Sequence, residues 1–487
     1  MTKFLEAING FVWGAPALVL ILGVGLYLSC RTGFVQLRLF PRALRQFWRV
    51  LCRRDGNDGS FRCLCTALAA TVGTGNLAGV AGAIALGGPG AIFWMWVSGF
   101  FGMATKYAEA VLSVRFRISR NGELHSGPMY IIPGGLGQKW QALAKVYCLF
   151  GVLASFGVGN AAQINAMTTA VGALFHSFDP DMERILGFVL ATAVCLALLG
   201  GAKAIGAAAE KLIPAASLGY IALCIAVLLL RAGKIPGAVM DILRGAFSPR
   251  AVTGGMLGSA FTALRIGCAR GTFTNEAGMG TAAIAHGCAN VAHPAEQGLM
   301  GIMEVFLDTI VICTLTALTI LVSGVPIPYG HDSAVVLTEA AFCTVLGPWA
   351  SWFLTLAICC FAFATVLGWG FYGGRCLEYL LGVPAWKGYA VAMGIMALLG
   401  ATLETGPVWL LADTFNGLMA IPNLFTLAAL TGEVRRLTIE FRKTGQKSGG
   451  GTICKFPSMQ TAANPLPCES SIPSLWKPRR RARKSII

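Results

Sequence analysis

The stretch Ala69-Ala70-Thr71-Val72-Gly73-Thr74-Gly75-Asn76 lies in the middle of a long apolar run, residues 63–86. Each of its two glycines weakens an α-helix by about 1 kcal/mol relative to alanine, and the polar side chains beside them can bond the backbone groups that a break releases. A broken helix at membrane depth is tolerated only where it is buried in protein or lines a cavity. Its free N–H groups favour a carboxylate, and its free carbonyls favour a monovalent cation. The stretch therefore predicts a solute site inside a membrane.

The whole chain has the composition of a polytopic, all-α membrane protein. Of its 487 residues, 12% are charged and 55% are hydrophobic, the mean hydropathy is +0.67, and glycine occurs 61 times. Soluble globular chains carry about 25% charged residues, and glycine lets membrane helices approach each other closely. The composition excludes soluble multidomain, disordered, collagen-like and disulfide-scaffold proteins.

The formal net charge of +16 comes almost entirely from two segments. Residues 31–62 hold eight arginines and two aspartates, and residues 433–487 hold twelve lysines and arginines against three glutamates. The positive-inside rule produces such an excess in cytoplasmic segments, so no nucleic-acid partner is expected. We therefore expect a membrane domain over 1–433 and a basic, disordered cytoplasmic tail over 434–487.

Apolar runs near the roughly 20 residues that cross a bilayer predict eleven transmembrane helices. They lie at about 11–30, 63–86, 90–115, 141–175, 185–200, 206–230, 254–286, 299–325, 349–381, 386–403 and 406–431. The first run is too long for a cleaved signal peptide, so we expect one extra N-terminal helix before a ten-helix core of about 63–431. The basic loops place the N-terminus outside and the C-terminus in the cytoplasm, and one loop, 231–250, departs from this pattern.

The run 254–286 is interrupted like the first core run. It contains Gly267, Gly271, Gly278 and Gly280 together with charged and amide side chains. The two interrupted runs are the first and sixth of the core, as a 5+5 inverted repeat with discontinuous helices would place them. For a single glycine pair, close helix packing is the alternative interpretation.

Several motifs of this sequence resemble the alanine or glycine:cation (sodium:alanine) symporter family. They are Thr71-Val72-Gly73-Thr74-Gly75-Asn76, Gly87-Gly88-Pro89-Gly90-Ala91-Ile92-Phe93-Trp94-Met95-Trp96-Val97, Met103-Ala104-Thr105-Lys106-Tyr107-Ala108-Glu109, Gly127-Pro128-Met129-Tyr130, Thr274-Asn275-Glu276-Ala277-Gly278 and Asn416-Gly417-Leu418-Met419-Ala420-Ile421-Pro422-Asn423. The resemblance covers about residues 10–433. It implies a leucine-transporter-like fold in the cytoplasmic membrane of a prokaryote and sodium-coupled uptake of alanine or glycine. The sequence departs from the family at Gly99, Ile131 and Gly374, where alanine, tyrosine and glutamate are usual.

The resemblance also implies roles for residues of the first break. Thr74 and Gly75 would present N–H groups to the substrate carboxylate. The carbonyls of Ala69 and Val72, with the hydroxyl of Thr365, would form one sodium site. A second sodium site would use the Thr71 carbonyl and the Asn76 amide. Oxygen ligands without a carboxylate suit Na⁺ better than Ca²⁺.

Other helices would complete the substrate site. Gln163 is expected to contact the substrate, with an interhelical hydrogen bond as the alternative, and Ile266 and Gly267 would form a pocket wall. Thr365 and Trp369 are four residues apart and share a helix face, so Trp369 would be a lid over a small side chain or, alternatively, a core residue.

Charges inside the apolar runs leave the coupling ion open. Lys106 and Glu109 are expected to pair, and structural ion pairs are favoured for Glu276 and Asp308 because isolated charges are costly in a bilayer. The alternative is proton coupling through Glu276 or Asp308. We expect no enzyme and no cofactor besides the coupling ion Na⁺, because the sequence has no GxxxxGK[ST] motif and no cluster of His with Asp or Glu.

Overall fold

The computed structural model describes residues 8–52, 59–120, 122–175, 179–248, 260–331, 334–402 and 406–447, which are almost entirely helical. Within these ranges the single sheet is an antiparallel hairpin of β1, Ile118–Arg120, and β2, Glu123–His125, in which Ile118 is opposite His125.

The helices of the first half follow the predicted apolar runs and the segments between them. They are α1 Ala15–Thr32, α2 Val35–Arg38, α3 Phe40–Cys52, α4 Ser60–Thr71, α5 Val80–Gly87, α6 Gly90–Arg115, α7 Pro128–Leu136, α8 Gln141–Phe156, α9 Ala162–Leu174, α10 Pro180–Leu199, α11 Gly201–Leu230 and α12 Ile235–Phe247. Two π-helical turns, Gly75–Gly79 and Gly157–Ala161, lead into α5 and α9. Such turns often mark functional sites.

The second half is built in the same way. Its helices are α13 Ala260–Asn275, α14 Thr281–His286, α15 Pro294–Val305, α16 Thr314–Ser323, α17 Ala334–Leu346, α18 Trp349–Leu381, α19 Ala385–Thr402, α20 Gly406–Ala429 and α21 Thr431–Lys447. A π-helix, Phe306–Cys313, joins α15 to α16, and the 3₁₀ turns are Gln138–Trp140 and Ala232–Lys234.

Six described helices are long and apolar enough to cross a membrane. They are Ile8–Thr32, Gln138–Leu174, Asp181–Leu199, Gly201–Leu230, Pro294–Ser323 and Trp349–Leu381. Two bent pairs, Ser60–Thr71 with Gly75–Gly87 and Ala412–Ala429 with Thr431–Lys443, raise the number to eight if each pair is one span. The chain is a multi-pass membrane protein, and these eight correspond to eight of the eleven expected spans.

The first break lies where the quoted stretch predicts it. Helix α4 ends at Thr71, Val72 is extended with φ −78° and ψ 95°, and the second half of the span begins at Gly75. The two halves are bent by 51°.

The second break lies later in its span than the glycine pattern suggests. Helix α13 is continuous to Asn275, and the unwound segment before α14 contains Glu276, Gly278 and Gly280 at φ 51°, 97° and 78°. The left-handed conformation costs a non-glycine residue about 1–2 kcal/mol. The carboxylate of Glu109 on α6 supports this segment, because its Oε1 accepts the N–H groups of Gly278 and Gly280 at 3.0 Å each. The start of the predicted run, residues 254–259, lies outside the described residues.

Two glycines of that run pack helices together instead of breaking one. A side chain at Gly267 would collide with the Ala91 carbonyl of α6, and one at Gly271 would lie 3.1 Å from the Ser98 hydroxyl. Small residues at such positions let membrane helices approach closely. Gly267 therefore fixes α13 against α6.

The segment beyond residue 433 begins as a helix and not as a disordered tail. Helix α21 covers residues 434–447 and packs the buried side chains of Val434 and Leu437 against the bundle. The expectation of disorder is wrong for these residues, and residues 448–487 lie outside the described part of the chain.

Candidate functional site

The two breaks meet at a cavity of about 20 Å³ in the middle of the bundle. It is lined by residues of both broken spans and of α8–α9, α18 and α20: Ala70, Thr71, Gly73, Thr74, Gly75, Val158, Gln163, Phe273, Thr274, Glu276, Thr365, Trp369 and Asn416. A volume of this size holds about one water molecule, so the cavity has to widen to admit an organic solute.

Asn76 holds the first break in shape. Its side-chain oxygen accepts the Gly73 N–H at 2.9 Å, and its amide nitrogen donates to Asp308 Oδ1 at 2.7 Å. The first N–H groups of the following half-helix, those of Thr74 and Gly75, have no partner inside the helix. They form the positive end of a helix dipole at the cavity, where a negative group is stabilised.

Gln163 connects α9 to the first break. Its Oε1 accepts the Thr74 hydroxyl at 2.9 Å, and its Nε2 donates to the Val158 carbonyl at 3.1 Å. Both Gln163 and Thr74 also line the cavity. The interhelical hydrogen bond that was the alternative for Gln163 is therefore present, and it lies at the wall of the cavity.

Thr365 and Trp369 share the cavity-facing side of α18. The Thr365 hydroxyl donates to the Phe361 carbonyl at 3.0 Å and lies so close to the first break that a Cβ at Gly73 would be 2.6 Å from it. The Trp369 indole is 1% exposed and donates to Glu276 Oε1 at 2.9 Å. This side chain thus joins α18 to the second break.

The remaining residues of the expected sodium sites surround the first break. Ala69, Thr71 and Val72 belong to the last turn before it, where the final carbonyls of a helix lack intrahelical partners, and all three are buried. Asn76 is fully buried on the other side of the break, and its oxygen already accepts the Gly73 N–H.

The structure does not bring Ile266 and Gly267, which were expected in the pocket wall, to the cavity. Ile266 packs beside Gly87, and Gly267 faces Ala91. They lie about two helical turns, or roughly 10 Å, before Phe273. The physical reason is that α13 unwinds after Asn275 and not at Gly267, so the residues next to the cavity come from the end of the helix.

The cavity is also lined by five residues that were not expected in the substrate site: Val158, Phe273, Thr274, Glu276 and Asn416. Asn416 is 1% exposed, and its side-chain oxygen has no protein partner among the described residues. Its position in the quoted Asn416–Asn423 motif was the available signal.

The buried charged residues Lys106 and Glu109 do not pair with each other, although this pair was expected. Lys106 forms an ion pair with Glu304 at 2.9 Å and not with Glu109. Glu304 also contacts His286 Nε2 at 2.7 Å. Glu109 instead accepts backbone N–H groups and the Asn423 amide at 2.8 Å.

Glu276 and Asp308 form no ion pair within the described residues, so the structural ion pairs favoured for them are not formed there. Glu276 Oε2 accepts the Thr281 hydroxyl at 2.6 Å, and Asp308 Oδ2 accepts that of Thr309 at 2.8 Å. Hydrogen bonds alone satisfy these two carboxyl groups, which are at most 4% exposed.

Arg375 links α18 to the β-hairpin. It donates to Glu123 Oε2 at 2.9 Å and to Glu378 Oε2 at 2.7 Å. Its guanidinium lowers the pKa of Glu123 in the hairpin below the usual range. A side chain at Gly374 would collide with Trp386, so the unusual glycine makes room for that indole.

A search of solved structures finds the same helical arrangement in a transporter. The crystal structure of MhsT in complex with L-phenylalanine matches with a TM-score of 0.56 and 15% identity, covering 79% of this chain and 98% of that chain. MhsT has the leucine-transporter fold, so this chain shares that fold.

Sequence relatives cover nearly the whole chain. The sodium/alanine symporter AgcS of Methanococcus maripaludis is 42% identical over 91% of this chain and 97% of its own length. The amino-acid carrier protein AlsT of Bacillus subtilis is 35% identical over 94% of this chain and 95% of its own length. An uncharacterised transporter of Haemophilus influenzae is 43% identical over 91% and 95%. These relatives are transporters, which confirms the expectation of transport instead of catalysis. A sequence profile of the sodium:alanine symporter family matches residues 1–453, and the chain belongs to that family.

Proposed function

We propose that this protein imports a small neutral amino acid, alanine or glycine, together with Na⁺ by alternating access. The observation that carries the proposal is the meeting of two broken helices at one small, buried cavity. Such breaks expose backbone N–H and carbonyl groups to the same space, as an amino acid and a cation require. The sodium/alanine symporter among its relatives supports the choice of solute.

The substrate carboxylate would bind the N–H groups of Thr74 and Gly75. Gln163 would then exchange its bond with the Thr74 hydroxyl for one with the substrate, and Trp369 would cover the substrate side chain. Because the cavity is only about 20 Å³, a modest widening admits a methyl group more easily than a large side chain.

The coupling ion would bind beside the substrate. The carbonyls of Ala69 and Val72 and the hydroxyl of Thr365 supply neutral oxygen ligands, which fit a hard monovalent cation. A second ion would use the Thr71 carbonyl and the amide oxygen of Asn76, which keeps a second lone pair free while it accepts the Gly73 N–H.

The free energy of Na⁺ entry is enough to accumulate the substrate without ATP. A zwitterion is net neutral, so each Na⁺ carries one charge inward, which supplies about 2.3 kcal/mol at 100 mV. A tenfold sodium gradient adds about 1.4 kcal/mol. One ion can therefore sustain a substrate gradient of several hundredfold.

The proposal also includes the topology of the chain. The protein would cross the cytoplasmic membrane of a prokaryote eleven times, with five plus five spans in inverted repeats and with the N-terminus outside. The basic segments 31–62 and 433–487 then lie in the cytoplasm, as the positive-inside rule requires.

The proton is the alternative to Na⁺ as the coupling ion, and one observation favours it. Glu276 and Asp308 are buried near the breaks with hydrogen bonds but no ion pair among the described residues. Either group could carry a proton across in place of Na⁺.

Uptake of labelled alanine into proteoliposomes tests the proposal. We expect accumulation above equilibrium with an inward Na⁺ gradient and none with K⁺ plus an inward proton gradient. Thr365→Ala should abolish sodium-driven uptake because it removes a ligand. Thr192→Ala is the matched control, since the exposed Thr192 hydroxyl makes the same bond to the carbonyl four residues before it. Accumulation with protons alone, unaffected by Thr365→Ala, would replace Na⁺ by H⁺.

A further inference from the structure

A groove of about 860 Å³ runs along the side of the bundle, away from the central cavity. It lies where α2 and the start of α3 meet α6 and the π-helix Phe306–Cys313. Its wall is apolar and aromatic and includes Leu37, Phe40, Trp96, Phe100, Phe306 and Ile310. Because the π-helix lies within Pro294–Ser323, a helix long and apolar enough to cross a membrane, a groove of this composition suits a hydrocarbon chain better than water or a polar solute.

Helix α3 borders the groove and has two different faces. Its buried side carries Ala43, and its first residue, Phe40, contacts Phe306 with the ring centroids 4.9 Å apart. Next to that side, Leu44 and Trp48 expose 47% and 63% of their surface, and Leu51 exposes 37%. Exposed apolar side chains beside arginines are typical of a helix that lies in the plane of a membrane interface.

The arginines of this region are available to an anion. Arg31, Arg38, Arg42 and Arg45 form no ion pair within the described part of the chain. Arg45 follows Pro41, a wall residue of the groove, by four positions and therefore lies one turn further along the same side of α3. Arg38 follows the wall residue Leu37 directly.

Gln36 adds a buried hydrogen-bond acceptor to the groove wall. Its Nε2 donates to the Ser29 hydroxyl at 2.8 Å, and that hydroxyl donates to the Gly25 carbonyl at 2.7 Å. Since the Ser29 proton is already used, Ser29 can only accept from Gln36, so the amide nitrogen faces Ser29. Among the described residues the Gln36 oxygen has no partner, although the residue is only 1% exposed.

We propose that this groove binds one phosphatidylglycerol molecule of the cytoplasmic leaflet. An acyl chain lies along the aromatic wall, the phosphate lies near Arg38 and Arg45, and a headgroup hydroxyl donates to the Gln36 oxygen. A second copy of this chain fits the groove less well, because a two-fold dimer contact would place the same arginine-rich rim against itself.

Native mass spectrometry of the full chain in mild detergent tests the proposal. Phosphatidylglycerol and phosphatidylethanolamine with identical acyl chains are titrated separately. We expect one tightly held phosphatidylglycerol. Arg45→Gln should weaken its binding about fivefold, since one arginine near an anionic surface contributes about 1 kcal/mol. Val97→Trp should lower the binding of both lipids by filling the groove, whose wall includes Val97.

Arg442→Gln on α21 is the matched control, because it removes the same charge from another exposed position. It should leave lipid binding unchanged. A thermal melt without added lipid checks that each variant is folded. If Val97→Trp does not fold, Arg45→Gln still tests the proposal. Equal retention of the two lipids, no response to either groove variant, or a dimer that forms through the groove would overturn the proposal.

Discussion

Trp369 and Glu276 make the side-chain contact that joins α18 to the second break, at 2.9 Å. Trp369→Phe keeps an aromatic ring but leaves a buried carboxyl oxygen without its donor. We expect this variant to lose about 1–3 kcal/mol of unfolding free energy, measured as a lower midpoint in thermal unfolding. The loss should be smaller in a Glu276→Gln background, because a neutral acceptor loses less when its donor is removed. Strictly additive effects in this double-mutant cycle would show that the two side chains are not coupled.

At the scale of the element, the first break depends on a close approach between the Gly73 backbone and α18. Gly73→Ala would place a methyl group 2.6 Å from the Thr365 hydroxyl, so the hydroxyl has to move away from the break. We expect the sodium concentration for half-maximal uptake to rise about tenfold, which corresponds to 1.4 kcal/mol of lost ion binding. Gly79→Ala is the control in the same half-helix, since its methyl group would lie 3.9 Å from Thr274. An equal rise of the half-maximal sodium concentration in both variants would show that displacement of the Thr365 hydroxyl is not the cause.

At the scale of the whole molecule, Arg375 ties the hairpin to α18, and we expect this contact to close that end of the bundle. Cys288 lies beside the hairpin, with its thiol donating to the Leu124 carbonyl at 3.4 Å. Glu123→Gln should therefore raise the rate at which a thiol reagent labels Cys288, measured by peptide mass spectrometry at pH 7. Asp181→Asn, which breaks the exposed Asp181–Arg184 pair at 2.8 Å, should leave the rate unchanged. A rate that is the same in Glu123→Gln and the unaltered protein would contradict a closing role.

The pH dependence of this closure follows from the lowered pKa of Glu123. A lowered pKa means that the closed form is stabilised above the ordinary glutamate pKa of about 4.3. The stabilisation is lost as the pH falls through the lowered value. Arg375 Nη1 also contacts His125 Nδ1 of the hairpin at 3.3 Å, and burial lowers the pKa of His125 below its usual 6.5. Between pH 7 and 8, above the usual pKa values of both Glu123 and His125, the contact should remain fully formed, so a change in labelling there reports thiol chemistry. Glu123→Gln should remove the loss of closure at acid pH.

The sequence predicted what depends on neighbouring residues and missed what depends on distant ones. The first break could be placed because glycines and polar side chains coincide within Thr71–Asn76. The second could not, because Gly267 and Gly278 look alike in sequence, and only the proximity of α6 makes Gly267 a packing residue. Lys106 was assigned to Glu109 by spacing, whereas its partner, Glu304, is 198 residues away.

The support of the second break by Glu109 also orders the assembly of the protein. Its carboxylate receives two N–H groups from the seventh predicted span and the Asn423 amide from the eleventh. During synthesis the seventh span emerges with those N–H groups unsatisfied unless α6 is already in place, and the third donor arrives only with the last span. A nascent chain that stops before residue 423 therefore lacks one of the three hydrogen-bond donors to the Glu109 carboxylate.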